Sequence, residues 1–367
     1  MASSKSEYRF LFAGGGTGGH LFPAVAVAEK IKARIPEADI LFVGTKSKIE
    51  GRVVPKLGYK FKSIWIKGFS RTFTLENILF PIKLIVSLFQ SLIINISFRP
   101  KVAIGSGGYV SGPAIWGSSV MGAKIILLEQ NSFPGVTTRI LERYADEIHI
   151  SYEDSKKYLK QHMKIKVTGN PVRESLNRID KEEALRHFDL NIHKKTILTL
   201  GGSLGAYSIN EAMAHLLSTI KEKDLQVIWQ TGNIYYDRYK ALTSEGIIIV
   251  PFINDMNFAY SAADIVIARA GATTIAELLV LGIPSVLIPS PNVAENHQYY
   301  NAKSLAEENA AILIEDKDVQ NVLTDKLISI IFDSKKLDEL SSNTKKFSKP
   351  DAASQIAESA IKFADAL

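Results

Sequence analysis

Residues 8–20 read YRFLFAGGGTGGH, an apolar run that leads directly into a glycine-rich loop. The same arrangement returns at residues 196–206, which read TILTLGGSLGA. A strand, a glycine-rich turn and a helix are the opening elements of a Rossmann-like βαβ unit. We therefore predict that each half of the chain folds as one such domain.

Short apolar runs and longer helical patterns alternate along the chain, which is typical of parallel sheets connected by helices. The strands predicted in the first half cover residues 8–13, 40–43, 102–104, 124–128 and 147–150. Those predicted in the second half cover residues 196–200, 226–230, 247–250, 265–268 and 285–288. The predicted fold class is α/β, with two Rossmann-like parallel-sheet domains facing each other across a cleft.

The predicted domain boundary lies in residues 169–173, Gly-Asn-Pro-Val-Arg, through which neither a strand nor a helix pattern can run. A length of 367 residues agrees with two domains, at about 150 residues per domain. We therefore place the N-terminal domain at residues 1–172 and the C-terminal domain at residues 173–349.

The composition excludes several kinds of site. No cysteine is present, so disulfides, thiolate metal sites and cysteine nucleophiles are ruled out. The hydrophobic fraction of 46% and the charged fraction of 22% are ordinary for a globular protein with a full core. Residues 1–7 are polar and lack the apolar core of a signal peptide.

Positive charge is concentrated in one apolar segment. The net charge is +6, and the basic residues between residues 59 and 101 are opposed by a single acid, Glu76. This combination favours an anionic membrane surface over nucleic acid as a partner.

Residues 78–98 are long and apolar enough to be considered as a transmembrane helix. Polar residues recur among them at helical spacing and form one stripe. An amphipathic helix with part of its apolar arc facing lipid is therefore the favoured interpretation, with a core helix and a true span as alternatives. The stripe consists of Lys83, Ser87, Gln90, Ser91 and Asn95.

Three glycine-rich segments are candidates for binding phosphate or sugar, because glycine lets backbone N–H groups approach an anion at a helix start. They cover residues 14–20, 105–113 and 201–206. The first one matches a dinucleotide fingerprint through Gly14, Gly16 and Gly19. No carboxylate follows the second predicted strand where a ribose would need it, so a dinucleotide enzyme is disfavoured.

Residues 269–277 read RAGATTIAE and follow a predicted strand, so a helix should begin near Ala272. Its first N–H groups can bind a diphosphate, and Glu277 in its second turn can accept hydrogen bonds from ribose hydroxyls. A solvated helix glutamate is the alternative for Glu277. Residues 289–298 gather amide, imidazole and carboxylate groups at the end of another strand, where open α/β sheets bind ligands.

Together these motifs resemble the MurG family, the UDP-N-acetylglucosamine–N-acetylmuramyl-(pentapeptide) pyrophosphoryl-undecaprenol N-acetylglucosamine transferases. The resemblance covers about residues 10–302. Its motifs are, in order, Gly-Gly-Thr-Gly-Gly-His, Gly-Gly-Tyr-Val-Ser-Gly-Pro, Glu-Gln-Asn, Gly-Asn-Pro-Val-Arg, Gly-Gly-Ser-x-Gly-Ala and Arg-x-Gly-Ala-x-Thr-x-x-Glu. It implies a GT-B fold in which the last helix, residues 350–367, crosses back onto the first domain.

The resemblance also implies the reaction. N-acetylglucosamine would move, with inversion, from UDP-N-acetylglucosamine to the C4 hydroxyl of undecaprenyl-pyrophosphoryl-N-acetylmuramyl-pentapeptide, which converts lipid I to lipid II in peptidoglycan synthesis. The N-terminal domain would bind this acceptor and the C-terminal domain the donor. No cofactor and no catalytic metal are implied, and the Asp-x-Asp sequence at residues 316–318 is interpreted as a solvated turn.

By motif, Glu277 would hold the ribose, residues 271–273 the diphosphate and Ile253 the uracil. The sequence departs from the family at Leu204, where many members have glutamine, and at His297, where some do. The full set of implied donor contacts is Asn131, Arg173, Ser203, Ile253, Gly271, Ala272, Thr273, Glu277, His297 and Gln298.

His20 is the candidate catalytic base, because an imidazole titrates near neutrality and can take the proton of the acceptor hydroxyl. A role in binding the acceptor diphosphate or in capping the loop stays open. The acceptor-binding residues predicted beside it are Thr17, Gly18, Gly19, Tyr109 and Ser111.

A lipid-linked acceptor places the reaction at a bilayer, so we predict a peripheral protein on the cytoplasmic face of the bacterial plasma membrane. Three alternatives stay open: a UDP-sugar 2-epimerase, a diacylglycerol glycosyltransferase, and a scaffold that binds nucleotide-sugar without turnover. The predicted membrane patch consists of Trp65, Phe69, Leu79, Ile82, Lys83 and Ile85.

Overall fold

The apolar runs of the sequence form two parallel β-sheets. A computed structural model describes residues 7–68, 79–202 and 204–367, so the predictions for Phe69 and Ser203 lie outside the described residues. The chain divides into two compact units. The first comprises Met1–Arg173 and Lys349–Leu367, and the second comprises Glu174–Ser348.

The first unit contains a seven-stranded sheet in the order β3-β2-β1-β4-β5-β6-β7, with every neighbouring pair parallel. The strands are β1 Arg9–Gly14, β2 Asp39–Gly44, β3 Lys60–Ser63, β4 Val102–Gly107, β5 Lys124–Glu129, β6 Glu147–Ile150 and β7 Ile165–Val167. The helices are α1 Gly18–Arg34, α2 Ile49–Lys56, α3 Phe80–Phe98, α4 Ser111–Val120 and α5 Val136–Leu141.

The second unit contains a six-stranded sheet in the order β10-β9-β8-β11-β12-β13, also parallel throughout. The strands are β8 Thr196–Leu200, β9 Gln226–Gln230, β10 Ile247–Val250, β11 Ile265–Ala268, β12 Ser285–Leu287 and β13 Ile312–Leu313. The helices are α6 Lys181–His187, α7 Tyr207–Glu222, α8 Tyr236–Tyr239, α9 Met256–Ala262, α10 Ala272–Leu281, α11 His297–Ala306, α12 Val319–Ile331 and α13 Ser334–Lys346.

Alternate residues of β1 face opposite sides of the first sheet. Phe10 and Phe12 join one apolar cluster, in which Phe12 stacks on Phe42 with ring centroids 5.0 Å apart. Leu11 and Ala13 join the cluster on the other side. A strand buried on both faces needs apolar residues at every position, which explains why this run shows no alternation.

The last helix, α14 (Ala352–Asp365), packs on α1 of the first unit. Ile356, Ala357 and Ala360 are fully buried in the same cluster as Phe10. Their spacing of one, three and four residues forms one helical face, so this face supplies the apolar contact that anchors the chain end.

The α/β fold class is confirmed, and each predicted strand is present. Three strands at sheet edges were missed: β3, β7 and β13. β3 contains two exposed lysines, Lys60 and Lys62, and β13 is two residues long. Short and charged edge strands limit unwanted pairing with other chains, and for the same reason they lack the apolar run by which strands are recognised.

Helix α3 has its polar side buried and its apolar side exposed. Ser87, Ser91 and Asn95 are at most 1% exposed. Asn95 accepts a hydrogen bond on Oδ1 from the hydroxyl of Ser118 in α4, at 2.7 Å, and a Cβ at Gly117 would lie 3.0 Å from its Nδ2. The polar stripe is therefore the face that packs against α4. Leu84, Ile94 and Phe98 pack against the apolar cluster that contains Leu11, and the other large apolar residues are on the exposed side of the helix.

The position of Lys83 requires a correction, because it belongs to the buried stripe and is 8% exposed. Its Nζ lies 5.7 Å from the ring centroid of Trp65, which is 51% exposed and whose backbone N–H donates to Gln90 at 2.7 Å. Trp65 is therefore an exposed member of the predicted membrane patch and is hydrogen-bonded to α3. Lys83 is buried, and its ammonium group contacts the ring of Trp65.

In both sheets the strand order reverses beside a glycine-rich loop. β1 lies between β2 and β4, so the loops that follow β1 and β4 emerge side by side. β8 lies between β9 and β11, which brings together the loops that follow β8 and β11 in the second unit. Open α/β sheets bind ligands at such switch points, so each unit is expected to carry one part of the functional site, here called a half-site, at its switch point.

Candidate functional site

The first glycine-rich loop ends at Thr17, the exposed N-cap residue of α1. Gly18 and Gly19 are the first two residues of the helix, and a Cβ at Gly19 would meet nothing closer than 3.7 Å. The first N–H groups of a helix have no partner inside it. The loop therefore offers backbone donors and open space where an acceptor diphosphate was predicted.

His20 lies in the first turn of α1, and its ring is held through Nδ1. Nδ1 is 2.9 Å from the carbonyl oxygen of Ser106 and 3.2 Å from Oε1 of Gln130. Nε2 of Gln130 donates to the same carbonyl of Ser106 at 3.0 Å, so the amide oxygen is the end that faces His20. Two acceptors at Nδ1 require a proton there, and a neutral His20 then carries its free lone pair on Nε2.

The second glycine-rich loop packs on the first one backbone to backbone. A Cβ at Gly108 would lie 2.4 Å from the carbonyl oxygen of Gly15, and one at Gly107 would lie 2.7 Å from Nδ1 of His20. The φ angles of Gly107 and Gly108 are +99° and +79°. Only glycine meets both requirements, so these two positions hold the His20 ring close against the loop.

Tyr109 and Ser111, the acceptor residues predicted in this loop, differ in exposure: Tyr109 is 53% exposed and Ser111 is 1% exposed. The Ser111 hydroxyl lies 2.5 Å from the carbonyl oxygen of Ala13 and accepts from the N–H of Gly107 at 3.1 Å. The Ser111 hydroxyl therefore connects the two loops from the inside, and the contact of Ser111 with the acceptor stays a prediction. Tyr109 stands at the surface, where a ligand can reach it.

Asn131 follows β5 and is 9% exposed. Its backbone N–H and its side-chain amide donate to Oε1 of Glu129, at 3.0 and 3.3 Å. Arg173 is the last residue of the first unit before the chain enters the second. The donor contacts of Asn131 and Arg173 stay predictions.

Helix α10 begins at Ala272, as expected, with Gly271 as its N-cap. A Cβ at Gly271 would meet no atom within 4 Å. Oγ1 of Thr273 is buried and makes no hydrogen bond to any described residue, which makes it a candidate for a ligand contact. This helix start combines open space, free N–H groups and an unsatisfied hydroxyl, which together suit an anionic ligand.

Glu277 lies in the second turn of α10 and is 8% exposed. Its Oε2 accepts a hydrogen bond from the hydroxyl of Tyr260 in α9, at 2.8 Å. The alternative of a solvated helix glutamate is therefore wrong. A buried carboxylate held in one orientation can accept from two neighbouring hydroxyls of a ribose.

Gln230, at the end of β9, connects two loops of the second unit. Its Nε2 donates to the carbonyl oxygen of Gly202 at 3.1 Å, and its Oε1 accepts from the N–H of Ile253 at 2.9 Å. The side chain of Ile253 is buried, so only its backbone can face a ligand. Because Gln230 occupies the N–H, the carbonyl oxygen of Ile253 is the group left for a base.

Gln298 and His297, the predicted sugar contacts, both lie at the start of α11. Oε1 of Gln298 accepts from the N–H of Ser290 at 2.9 Å, and Nδ1 of His297 lies 2.8 Å from the carbonyl oxygen of Ala294. Each side chain thus uses one polar atom to shape residues 290–298. The amide nitrogen of Gln298 and Nε2 of His297 are the atoms proposed to meet the sugar.

Arg269 joins the loops that follow β11, β12 and β13. Its Nη1 donates to the carbonyl oxygens of Ile288 and Pro289, each at 3.2 Å, and its Nη2 donates to the hydroxyl of Ser208 at 2.9 Å. Nη1 also pairs with Asp316 at 2.5 Å. Residues 316–318 form the predicted turn, but Asp316 is held by this ion pair and is only partly exposed. Within the described ranges, no group of three or more His, Asp or Glu side chains is placed to hold a metal ion.

Two family models match the chain. Residues 10–150 match the glycosyltransferase family 28 N-terminal domain, and residues 196–356 match the C-terminal domain of the same family. Two curated UDP-N-acetylglucosamine–N-acetylmuramyl-(pentapeptide) pyrophosphoryl-undecaprenol N-acetylglucosamine transferases are similar over nearly their full length. The one from Bacteroides thetaiotaomicron is 44% identical over 99% of both chains, and the one from Christiangramia forsetii is 43% identical over 96% of both. The protein belongs to the MurG family.

Solved structures agree with membership of the MurG family. MurG of Acinetobacter baumannii superposes with a TM-score of 0.76 at 25% identity, covering 97% of this chain and 99% of that chain. A UDP-N-acetylglucosamine 2-epimerase superposes with a TM-score of 0.65 at 13% identity, covering 98% and 96%. The likeness to the epimerase concerns the fold alone, so it gives no separate support to the epimerase alternative.

Several residues that organise the half-sites of this MurG-family protein were not singled out from the sequence. Gln130 and Arg269 lie inside motifs shared with the family, and this position in a motif is the sequence feature that could have identified them. Gln230 and Tyr260 gave no local signal, because their partners lie 17 to 28 residues away and are found only through the fold.

Proposed function

We propose that the protein transfers N-acetylglucosamine from UDP-N-acetylglucosamine to the C4 hydroxyl of undecaprenyl-pyrophosphoryl-N-acetylmuramyl-pentapeptide, with inversion at the anomeric carbon. One observation carries this proposal: curated relatives that bear the name of this transferase are 41% to 44% identical over nearly the whole chain. The geometry of each half-site supports it from the residues upward.

The donor belongs to the second unit in this proposal. Its diphosphate takes the N–H groups at the start of α10, close to the unsatisfied hydroxyl of Thr273. Its ribose takes the carboxylate of Glu277, which Tyr260 orients. The carbonyl oxygen of Ile253 is a suitable acceptor for the N3–H of uracil, a group that a cytosine base lacks.

The acceptor belongs to the first unit, where His20 is the proposed base. As the C4 oxygen bonds to the anomeric carbon, the bond from that carbon to the UDP oxygen breaks and the hydroxyl proton passes to Nε2 of His20. The imidazolium that forms keeps its Nδ1 hydrogen bonds to Ser106 and Gln130. The helix start at α10 stabilises the negative charge on the departing diphosphate, together with Arg173.

The exposed face of α3 is the proposed contact with the membrane that contains the polyprenyl acceptor. Among the described residues, α3 is the helix long and apolar enough to span a membrane, with a mean hydropathy of 1.6. Its polar stripe packs on α4, so lipid can reach only its outer side. Burying polar residues while exposing isoleucine and phenylalanine is unfavourable in water and favourable against acyl chains. The exposed residues are Leu79, Ile82, Ile85, Phe89, Ile93 and Ile96.

These features favour a peripheral protein at the cytoplasmic face of the plasma membrane, where UDP-sugars are available. Trp65 is exposed beside α3 and has the amphipathic ring that prefers the membrane interface. The lysines between residues 59 and 101 supply attraction to anionic lipid headgroups.

The reaction is tested by measuring UDP release from UDP-N-acetylglucosamine with and without the lipid-linked muramyl-pentapeptide. We expect release that depends on the acceptor. Glu277→Ala should raise the KM for the donor by about 10- to 100-fold, because a buried hydrogen-bonded charge is lost. Glu222→Ala, at an exposed glutamate of α7, is the matched control and should behave as wild type. Release or isomerisation without acceptor would favour a hydrolase or an epimerase instead.

A further inference from the structure

Glu50 is a buried carboxylate that no step of the proposed reaction uses. It lies in the first turn of α2 and is 1% exposed. Its Oε2 accepts from the N–H of Gly16 at 2.9 Å, and its Oε1 accepts from the N–H of Thr45 at 2.9 Å. One carboxylate therefore ties the glycine-rich loop after β1 to the loop after β2.

The glycines around Glu50 make room for this carboxylate. A Cβ at Gly15 would lie 2.4 Å from its Cδ atom, and a Cβ at Gly44 would lie 2.4 Å from its Cγ atom. Real Cβ atoms do not approach other atoms so closely. Two glycines of the first domain are thus explained by the fit of Glu50, whereas Gly19 has open space beside it and remains available to a ligand.

The carboxylate of Glu50 is electrostatically unfavourable for binding an anion at the glycine-rich loop after β1. Its negative charge repels a diphosphate bound at the start of α1, and its removal from water is unfavourable unless its oxygens are hydrogen-bonded. Its presence is therefore explained only by what its two hydrogen bonds achieve. They turn the N–H of Gly16 inward, with φ at +86°, and so fix the direction in which residues 17–20 leave the loop.

We propose that Glu50 is a positioning residue for the acceptor diphosphate. Its carboxylate holds the loop so that the N–H groups of Thr17, Gly18 and Gly19 and the imidazole of His20 face the same ligand. This inference rests on the proposed function, because it assigns the diphosphate of the lipid-linked acceptor to that loop.

The test compares two substitutions that separate geometry from charge. Glu50→Gln keeps the shape and removes the charge, but its NH2 group faces one of the two backbone donors. Glu50→Asp keeps the charge and cannot reach both donors. If geometry decides, both variants raise the KM for the acceptor by about tenfold and leave the KM for UDP-N-acetylglucosamine unchanged. If acceptor KM falls in Glu50→Gln, repulsion is the dominant effect and the proposal is wrong.

Glu142 offers a matched control in the same unit. It is 6% exposed, and its Oε2 also accepts from two backbone N–H groups, those of Lys160 and Gln161, at 2.7 and 3.3 Å. Glu142→Gln should cost similar stability without changing the acceptor KM. An equal change of acceptor KM in Glu142→Gln and Glu50→Gln would contradict a specific role for Glu50.

Gly15→Ala provides a second approach if the Glu50 variants do not fold. Its methyl group displaces the carboxylate from the N–H of Gly16, so the acceptor KM should rise while donor binding, measured by calorimetry, stays intact. An unchanged acceptor KM in a folded variant overturns the positioning role. Failure of the proposed function is distinguishable, because the wild-type protein would then show no acceptor-dependent transfer.

Discussion

In both half-sites, a glutamine side chain orients a residue of the site. Its amide nitrogen donates to one loop and its amide oxygen accepts from another residue. Gln130 donates to Ser106 and presents its oxygen to His20. Gln230 donates to Gly202 and presents its oxygen to Ile253. In each case the amide connects a loop at one strand end to a neighbouring loop, which reduces the freedom of the group that meets the ligand.

Replacing Gln130 tests this orientation at His20. Gln130→Leu keeps the volume but removes the acceptor at Nδ1, while the Ser106 carbonyl continues to favour the same tautomer. We expect kcat to fall about tenfold and the KM for UDP-N-acetylglucosamine to stay the same, since His20 loses one of its two neutral hydrogen bonds at Nδ1. Steady-state kinetics with both substrates varied measures this difference. Gln355→Leu, at an exposed glutamine of α14, should have no effect, and a rise in donor KM for Gln130→Leu would contradict the assignment.

Whole elements decide how the protein meets a membrane, and α3 is the clearest case. Its stripe of Lys83, Ser87, Ser91 and Asn95 recurs every four residues and is buried along its length. The outer face has no protein partner among the described elements that would cover its isoleucines. Binding of this face to lipid breaks no contact within the protein, and it is favourable because apolar surface is transferred out of water.

Ile82→Glu with Ile85→Glu should release the protein from vesicles that contain anionic lipid. Both residues are more than half exposed, at 53% and 55%, so the fold should tolerate the change. Sedimentation with vesicles of phosphatidylglycerol and phosphatidylcholine measures the bound fraction, which we expect to fall at least tenfold because two apolar contacts become two repelled charges.

The control for this experiment is Ile192→Glu with Phe332→Glu, two exposed apolar residues of the second unit at 41% and 54%. This variant adds the same charge away from α3 and should sediment as wild type. Raising the salt concentration should weaken binding of the wild type in part, since headgroup attraction is screened and apolar contact is not. Equal sedimentation of both double variants would exclude α3 as the membrane contact.

The sequence predicted the elements better than their orientation. Spacing gave the polar stripe of α3, but periodicity identifies faces and does not say which face is inside. The orientation of Ser111 is a similar case: it lies two residues from exposed Tyr109, yet its hydroxyl turns into the loop and bonds to Ala13. Glycine spacing located the loops, whereas the carboxylate that holds one of them, Glu50, comes from a residue 34 positions away.

On the scale of the whole molecule, the C-terminal helix returns to the first unit and joins its sheet through Glu147. This residue of β6 accepts from Nζ of Lys166 in β7 at 2.7 Å and is 3.0 Å from Nε2 of His149. Lys166 also reaches the hydroxyl of Ser359 in α14, at 3.3 Å. Burial alone would raise the pKa of Glu147, but hydrogen bonds from His149, Lys166 and Ser359 outweigh it and lower the pKa from 4.5 to about 2.

Because of Glu147, the free energy of unfolding of the protein depends on pH in the acidic range. Because its pKa is lower in the folded chain, its contribution is complete above the ordinary value of 4.5 and is lost as the pH falls toward 2. Near neutral pH, Glu147→Gln should lower the free energy of unfolding by about 1–2 kcal/mol, a figure reduced for solvent screening. Urea unfolding at a series of pH values should show this difference shrinking toward zero in acid. Glu153→Gln, which breaks only an exposed pair with Lys156, should differ little from wild type at any pH. A Glu147→Gln deficit that stays constant into acid would mean that packing, and not the ionised carboxylate, ties this helix to the sheet.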